Sequence, residues 1–371
     1  MLTLQEVLDR ANGQWANASF AQSRLGSDAR NIQVRRPAPL AGSREGDLAY
    51  YFSREYKNDL ASARPSVLVT GPKFLDTLQK GDLSLWRESA VVSCADPHLA
   101  MALLSSEFAR ANSTVAHLNR IQQTEIHPSA VVHPSVEMGP QVRIGAHCVI
   151  EAGVKIGAGT VIYPGVFLGP QVRMGEDCVL FPNVVLYEET VLGNRVRIHG
   201  GSVLGADGFG YAPRFQGGAP HGHQKIYHLG NVQVGDDVEI GASTTIDRGT
   251  VGPTVIESFV IIDNQVQIGH NCFIGEGAII CGSCGLAGRV RVGKYAILGG
   301  MVGVNNAVNI GDRAIVGGMS GVPGDVAADS AVMGSPHRDK KDYLRLQFLF
   351  NRMIEERNAQ RTAADEKEKE K

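Results

Sequence analysis

The chain has 371 residues, with 36 Lys and Arg against 38 Asp and Glu and a net charge of −2, which excludes a global basic footprint for nucleic acid. Forty-four glycines and 6% aromatic residues suit a backbone that turns many corners. No run of 18 apolar residues occurs, and the opening MLTLQEVLDRANGQ carries acids without an apolar core, so neither a transmembrane span nor a signal peptide is expected and a cytoplasmic location is.

Residues 1–120 read as a compact α/β domain. An amphipathic helix is predicted over Leu4–Arg10, a strand over Ser66–Thr70, a helix over Lys73–Leu78 and a strand over Ala90–Cys94. Asp96-Pro97 then opens a helix through Phe108, with Pro at the first helical position.

From Ile126 to Leu204 every sixth residue is Ile, Val, Met or Leu. The phase holds at Val234, Ile240 and Ile246, slips by four, and runs again from Ile256 to Val322. A period of six is neither helical nor heptad; it is the signature of a parallel β-helix built from hexapeptide units. In the unit beginning Ile144-Gly145-Ala146-His147-Cys148, the aliphatic points inward, Gly145 is expected to relax the backbone at the corner, and Cys148 fills a smaller inward slot. Three units per turn stack residues eighteen apart at about 4.8 Å, the spacing of adjacent strands. About nine or ten coils follow over residues 121–326. The large interruption, Gly205–Leu229, reads as a Gly- and His-rich functional loop that preserves phase. Pro323-Gly324 is expected to end the coil. Residues 327–371 then hold a helix over 337–357 with an apolar stripe at Tyr343, Leu344, Phe348, Leu349 and Met353, and the charged tail EKEKEK is expected to be disordered. Cys148, Cys178, Cys272 and Cys284 all fall in the small inward slot, so reduced packing thiols are expected.

His270 is the one histidine between residues 229 and 336. It lies two positions past its aliphatic, at a corner, and projects outward. Eighteen residues on, Gly288 leaves room for a carbonyl beside a backbone N–H. A base next to an amide donor is the minimum for acyl transfer.

Several segments resemble the UDP-3-O-acylglucosamine N-acyltransferases of lipid A synthesis. They are Ile246-Asp247-Arg248-Gly249, the run Ile262-Asp263-Asn264-Gln265 through His270-Asn271, the loop Gly205-Ala206-Asp207-Gly208-Phe209-Gly210-Tyr211-Ala212, and Gly46-Asp47-Leu48-Ala49-Tyr50-Tyr51-Phe52-Ser53-Arg54-Glu55-Tyr56. The resemblance implies a mainly β fold: a left-handed parallel β-helix with an N-terminal α/β uridine-binding domain and a C-terminal helix. It implies His270 as general base and Gly288 as oxyanion amide. Tyr50 would stack on uracil, Ser53 stands where the family has Asn, Tyr56 matches a Tyr of that segment, and Asp263 and Asn264 fall near the sugar or donor arm. Corner hydrogen bonding is the alternative for this last pair. Asn306-Ala307 occupies the place of the family's second Gly-His. The implied partners are an acyl carrier protein bearing the thioester, UDP-3-O-acyl-glucosamine, and two further copies in a homotrimer, with no cofactor and no metal. Three readings compete: a zinc enzyme on the same solenoid using His221, His223 and His228, a related UDP-sugar acyltransferase with a different acceptor, and a non-catalytic sugar-nucleotide scaffold. The basic residues Arg338, Lys340, Lys341, Arg345 and Arg352 suit either a solvated capping helix or a dock for an acidic carrier protein.

Overall fold

The computed structural model describes residues 1–18, 29–80, 84–111 and 123–369, in two compact units, Met1–Asn119 and Arg120–Lys371. The boundary expected at residue 120 lies outside the described residues.

The front unit is built on a five-stranded sheet. Strand Asp47–Tyr51 lies between Arg36–Pro37 and Val67–Thr70, followed by Ala90–Ser93 and, antiparallel at the edge, Gln14–Trp15. All five residues of Asp47–Tyr51 are buried, because apolar clusters cover both faces of the sheet. Helix Leu4–Arg10 starts at a capping box between Thr3 and Glu6. The helix predicted over Lys73–Leu78 is a 3₁₀ turn at Pro72–Phe74 followed by an α-helix at Leu75–Lys80. Helix Pro97–Ala111 is capped by Asp96, whose carboxylate accepts from the amides of His98 and Leu99.

In the second unit, short strands pair in parallel with the strands eighteen residues away, as in Ile144↔Ile162 and Ile162↔Leu180. Three sheets of nine, twelve and ten strands result, and the solenoid is a left-handed parallel β-helix. The sixth-position aliphatics and the small slot form one continuous core. The corner works differently from the reading of Gly145. The left-handed residue is the third after most of the aliphatics, as at His147 (φ 58°) and Asn271 (φ 58°). Gly145 is needed for close stacking instead, since a Cβ there would lie 2.6 Å from Pro164 N.

Three departures from the six-beat shape the outside. Gly205–Leu229 is not a plain loop: strands Tyr211–Gln216 and Ala219–Lys225 form an antiparallel hairpin turned at Gly217-Gly218, both with positive φ. The ladder then resumes 42 residues on, at Val191↔Gln233. At the slip of four, Ile246 pairs with Ile268, 22 residues on, and residues 248–253 bulge outward. After Val322 the beat shortens by two residues instead, and the coil does not end at Pro323-Gly324. Val326 bridges to Ile310, and Ala331–Met333 pairs with Ile315–Val316. The C-terminal helix then runs Lys340–Lys369, starting later and ending beyond the predicted 337–357. It takes in the tail up to Lys369; residues 370–371 lie outside the described residues.

Candidate active site

Two of the breaks in the repeat fold onto one corner, Ile268-Gly269-His270-Asn271. Leu229 N donates to Thr250 O and Gly230 N to Gly249 O, which ties the root of the hairpin to the bulge over residues 248–253. The bulge is tied to the corner in turn. Thr250 N donates to Asn271 Oδ1 at 2.9 Å, and Asn271 Nδ2 donates to Val251 O at 3.1 Å. These backbone partners settle which end of the Asn271 amide is oxygen. That oxygen faces His270 Nδ1 at 3.2 Å, and Thr250 Oγ1 lies 3.3 Å from the same nitrogen. An acceptor opposite Nδ1 calls for the proton there, which leaves the lone pair of neutral His270 on Nε2.

Nε2 lies over Gly288: a Cβ at that residue would be 2.5 Å from it. The Gly288 carbonyl accepts from Ala307 N at 3.0 Å, but its N–H donates to nothing among the described residues. Gly269 lets this arrangement close up, since a Cβ there would come within 2.8 Å of Gly288 N. A pocket of about 700 Å³ opens beside the imidazole, walled by Phe209 and Tyr211 from the hairpin, Val251 from the bulge, and Arg289 and Asn306 from successive corners.

A second imidazole closes the site from behind. His228 is 3% exposed, and its ring centroid lies 5.2 Å from that of His270 in an edge-to-face arrangement. Its Nδ1 bonds to Ile226 O at 3.1 Å, and its Nε2 is buried with no partner. Burial foremost, and the neighbouring His270 next, push the His228 pKa below its ordinary value. Asp207 on the hairpin is paired with Lys225 at 2.8 Å, a bond that lowers its pKa. Arg248, 8% exposed, reaches the Glu188 side chain at 2.5 Å and its carbonyl at 3.0 Å, bracing the bulge against an earlier coil.

The repeat family described as "Bacterial transferase hexapeptide (six repeats)" matches residues 135–170. The chain is 37% identical over 261 residues to the UDP-3-O-acylglucosamine N-acyltransferase of Bordetella pertussis, covering 70% of this chain and 69% of that one. The enzyme of the same name from Paracidovorax citrulli is 40% identical over 63% of this chain and 60% of its own length. The chain belongs to the UDP-3-O-acylglucosamine N-acyltransferase family. Among solved structures, the Arabidopsis UDP-N-acetylglucosamine acyltransferase superposes with a TM-score of 0.50 at 29% identity, over 58% of this chain and 73% of that one.

The family resemblance also singled out residues in the front unit. Tyr50 is 8% exposed and packs in the cluster with Leu4, Val7 and Leu104. The cause is the doubly covered sheet, which buries both alternating faces of its strand; burial also raises the Tyr50 pKa. The open aromatic is Tyr56, 44% exposed. Half-buried Phe52 meets it edge-on with centroids 6.2 Å apart, and the His98 ring lies 4.1 Å from Phe52 on the other side. Ser53 caps the following 3₁₀ turn, its hydroxyl accepting from Glu55 N at 3.4 Å.

Asp263 and Asn264 brace successive corners. Asp263 accepts from Gly282 N at 2.9 Å and from Asn264 N at 2.7 Å, and Asn264 Oδ1 accepts from Ala242 N at 2.7 Å. Cys272 faces the core, donates to Ala287 O at 3.2 Å, and has its thiol pKa pushed up to about 12 by burial. His221 and His223 sit exposed on the outer hairpin strand while His228 is buried, and no metal-holding group of three such side chains occurs among the described residues. No described helix is long and apolar enough to cross a membrane. Sequence reasoning placed His228 only in the zinc reading and did not single out Phe52, His98 or Thr250. For Thr250 the signal was present, since the slip of four marks the bulge that carries it.

Proposed function

We propose that this acyltransferase moves a 3-hydroxyacyl group from acyl carrier protein to the 2-amine of UDP-3-O-acyl-glucosamine, giving the UDP-2,3-diacylglucosamine of lipid A synthesis in the cytoplasm. The observation that carries the reading is His270, with Nδ1 tied to Asn271 and Nε2 over a side-chain-free residue with an unused amide. The 2-amine attacks the thioester carbonyl while Nε2 accepts its proton. The carbonyl oxygen becomes an oxyanion, which the Gly288 N–H stabilises. As the tetrahedral intermediate collapses, the C–S bond breaks, the amide forms, and the imidazolium proton goes to the leaving thiolate. No enzyme nucleophile is required, in keeping with the inert Cys272 thiol.

Uridine recognition is assigned to the front unit, residues 1–120, with Tyr56 as the stacking ring and Ser53 as its polar neighbour. Asp263 keeps free lone pairs for a sugar hydroxyl while it braces its corner. A homotrimer is supported by the open pocket, because Phe209 and Val251 beside it are 89% and 81% exposed and call for a second wall to exclude water. The carrier protein is assigned to the basic residues at the start of the C-terminal helix.

The deciding experiment is turnover with purified His270→Ala, using acyl-carrier thioesters and UDP-sugars with product mass spectrometry. A folded, nucleotide-binding protein that loses about 10²–10⁴-fold in kcat supports the reading. Retention of more than about a tenth of wild-type kcat removes His270 as the base and brings the scaffold reading forward.

A further inference from the structure

The acyltransferase mechanism uses one imidazole and leaves another, fully buried, beside it. Among the described residues, His228 is the one imidazole in ring contact with His270. Its orientation is fixed by the backbone: Ile226 O is an acceptor, so Nδ1 carries the proton and Nε2 holds a lone pair. That nitrogen lies on the flank of the base. The position a Gly208 Cβ would take lies 2.9 Å from His228 Nε2 and 2.9 and 3.1 Å from Cβ and Cδ2 of His270. Gly208 and Gly210 allow the hairpin root to press this close, since a Cβ on Gly210 would come within 2.7 Å of the His228 ring.

An unpartnered acceptor buried in protein is costly unless it meets positive charge in some state of the molecule. Such a state arises when His270 takes the amine proton. We propose that His228 is a positioning residue for His270: its neutral imidazole, held by Ile226, turns a lone pair toward the base and stabilises the imidazolium formed during amine attack. This rests on the general-base reading of His270.

The surrounding charges are compatible with that role. Burial and the neighbouring base keep His228 from competing for the proton. Asp207 is neutralised by Lys225, and Asp247 accepts from Gln267 Nε2 at 3.1 Å with its carboxyl pKa raised by burial. Arg248 is paired with Glu188, and Arg289, exposed at the next corner, is the remaining cation at the pocket. None of these lies in ring contact with the base; His228 does.

The test is steady-state kinetics across pH with the full-length protein. His228→Leu keeps an apolar, buried side chain but no lone pair. It should lower kcat about tenfold with KM unchanged, and move the acid limb of kcat to lower pH because the imidazolium has lost a stabilising partner. His228→Gln offers a carbonyl oxygen in place of the nitrogen and should recover most of the loss. Should the Leu variant fail to fold, His228→Phe carries the same expectation. A wild-type kcat and acid limb in the apolar variant, or equal loss in the Gln and apolar variants, overturns the inference. His270→Ala run alongside separates the two claims. An inactive His270→Ala with a wild-type-like His228→Leu removes only this inference, whereas an active His270→Ala removes the base itself.

Discussion

Adding one methyl group at Gly288 tests the active-site geometry without removing either reacting group. The new Cβ would lie 2.5 Å from His270 Nε2, 2.8 Å from Cε1 and 2.9 Å from Cδ2, all atoms of one side chain. Ordinary contact begins near 3.4 Å, so the imidazole must retreat by about 1 Å. The Gly288 backbone does not have a left-handed φ, so alanine adds no backbone strain. The ring is half-buried and can swing, at the expense of its Nδ1 contacts with Asn271 and Thr250. Overpacking of that kind costs about 1 kcal/mol, the low end for inserted methyl groups. A reacting atom displaced by about 1 Å costs about 10²-fold in rate. Gly288→Ala should therefore melt within a few degrees of wild type and lose about 100-fold in kcat with KM little changed. Gly269→Ala is the contrasting control. Its Cβ would meet the backbone of Ala287 and Gly288 at 2.8 Å, which cannot swing away, so it should destabilise by about 3 kcal/mol. Calorimetry together with steady-state rates reads both. A Gly288→Ala enzyme with more than about a tenth of wild-type kcat would refute the placement of Nε2 over that residue.

Tyr56→Ala should raise KM for the UDP-sugar by about tenfold with melting temperature unchanged, since an exposed stacking ring is lost. Tyr50→Ala should instead destabilise the front unit by about 3 kcal/mol or more, as for any buried aromatic truncated to Ala; a selective KM effect without destabilisation would restore Tyr50 to the uridine site. Cys272 has its pKa pushed up to about 12, so at pH 8 only about one part in ten thousand is thiolate. Iodoacetamide should leave both Cys272 and turnover untouched at that pH, which peptide mass spectrometry checks. The Asp207–Lys225 bond holds the Asp207 carboxyl below its ordinary pKa. Its contribution to hairpin order is present above about pH 4 and is lost as pH falls through the lowered value. Hydrogen exchange over residues 211–225 should accelerate in that acid window and not at neutral pH.

The solenoid was legible because burial repeats with the chain. Ile144, Ile162 and Leu180 sit on one another because each is the sixth-position residue of its unit. The pairing of His270 with Gly288 follows from that same arithmetic. The rest required contacts the period does not encode. His228 belongs to the first break and meets His270 through the hairpin root, a contact made in space at a sequence separation of 42. The burial of Tyr50 was not legible, because the segment resemblance gave the residue type and not the second apolar layer over the sheet. The end of the coil was misplaced because the slip at Val326 is short, although Val326 and Val332 keep the beat once the slip is allowed.

A chain that advances in identical steps can be shortened by a whole step. Every residue of the catalytic corner lies between Glu188 and Ala307, and its ties run to the two breaks rather than to either end of the prism. Excising one turn well before them, such as residues 145–162, would bring Ile144 onto the rung that Ile162 held, and each strand beyond would find an equivalent neighbour. The breaks act as the punctuation of the repeat: a turn can be removed from the solenoid while the reactive corner travels with the sentence it closes.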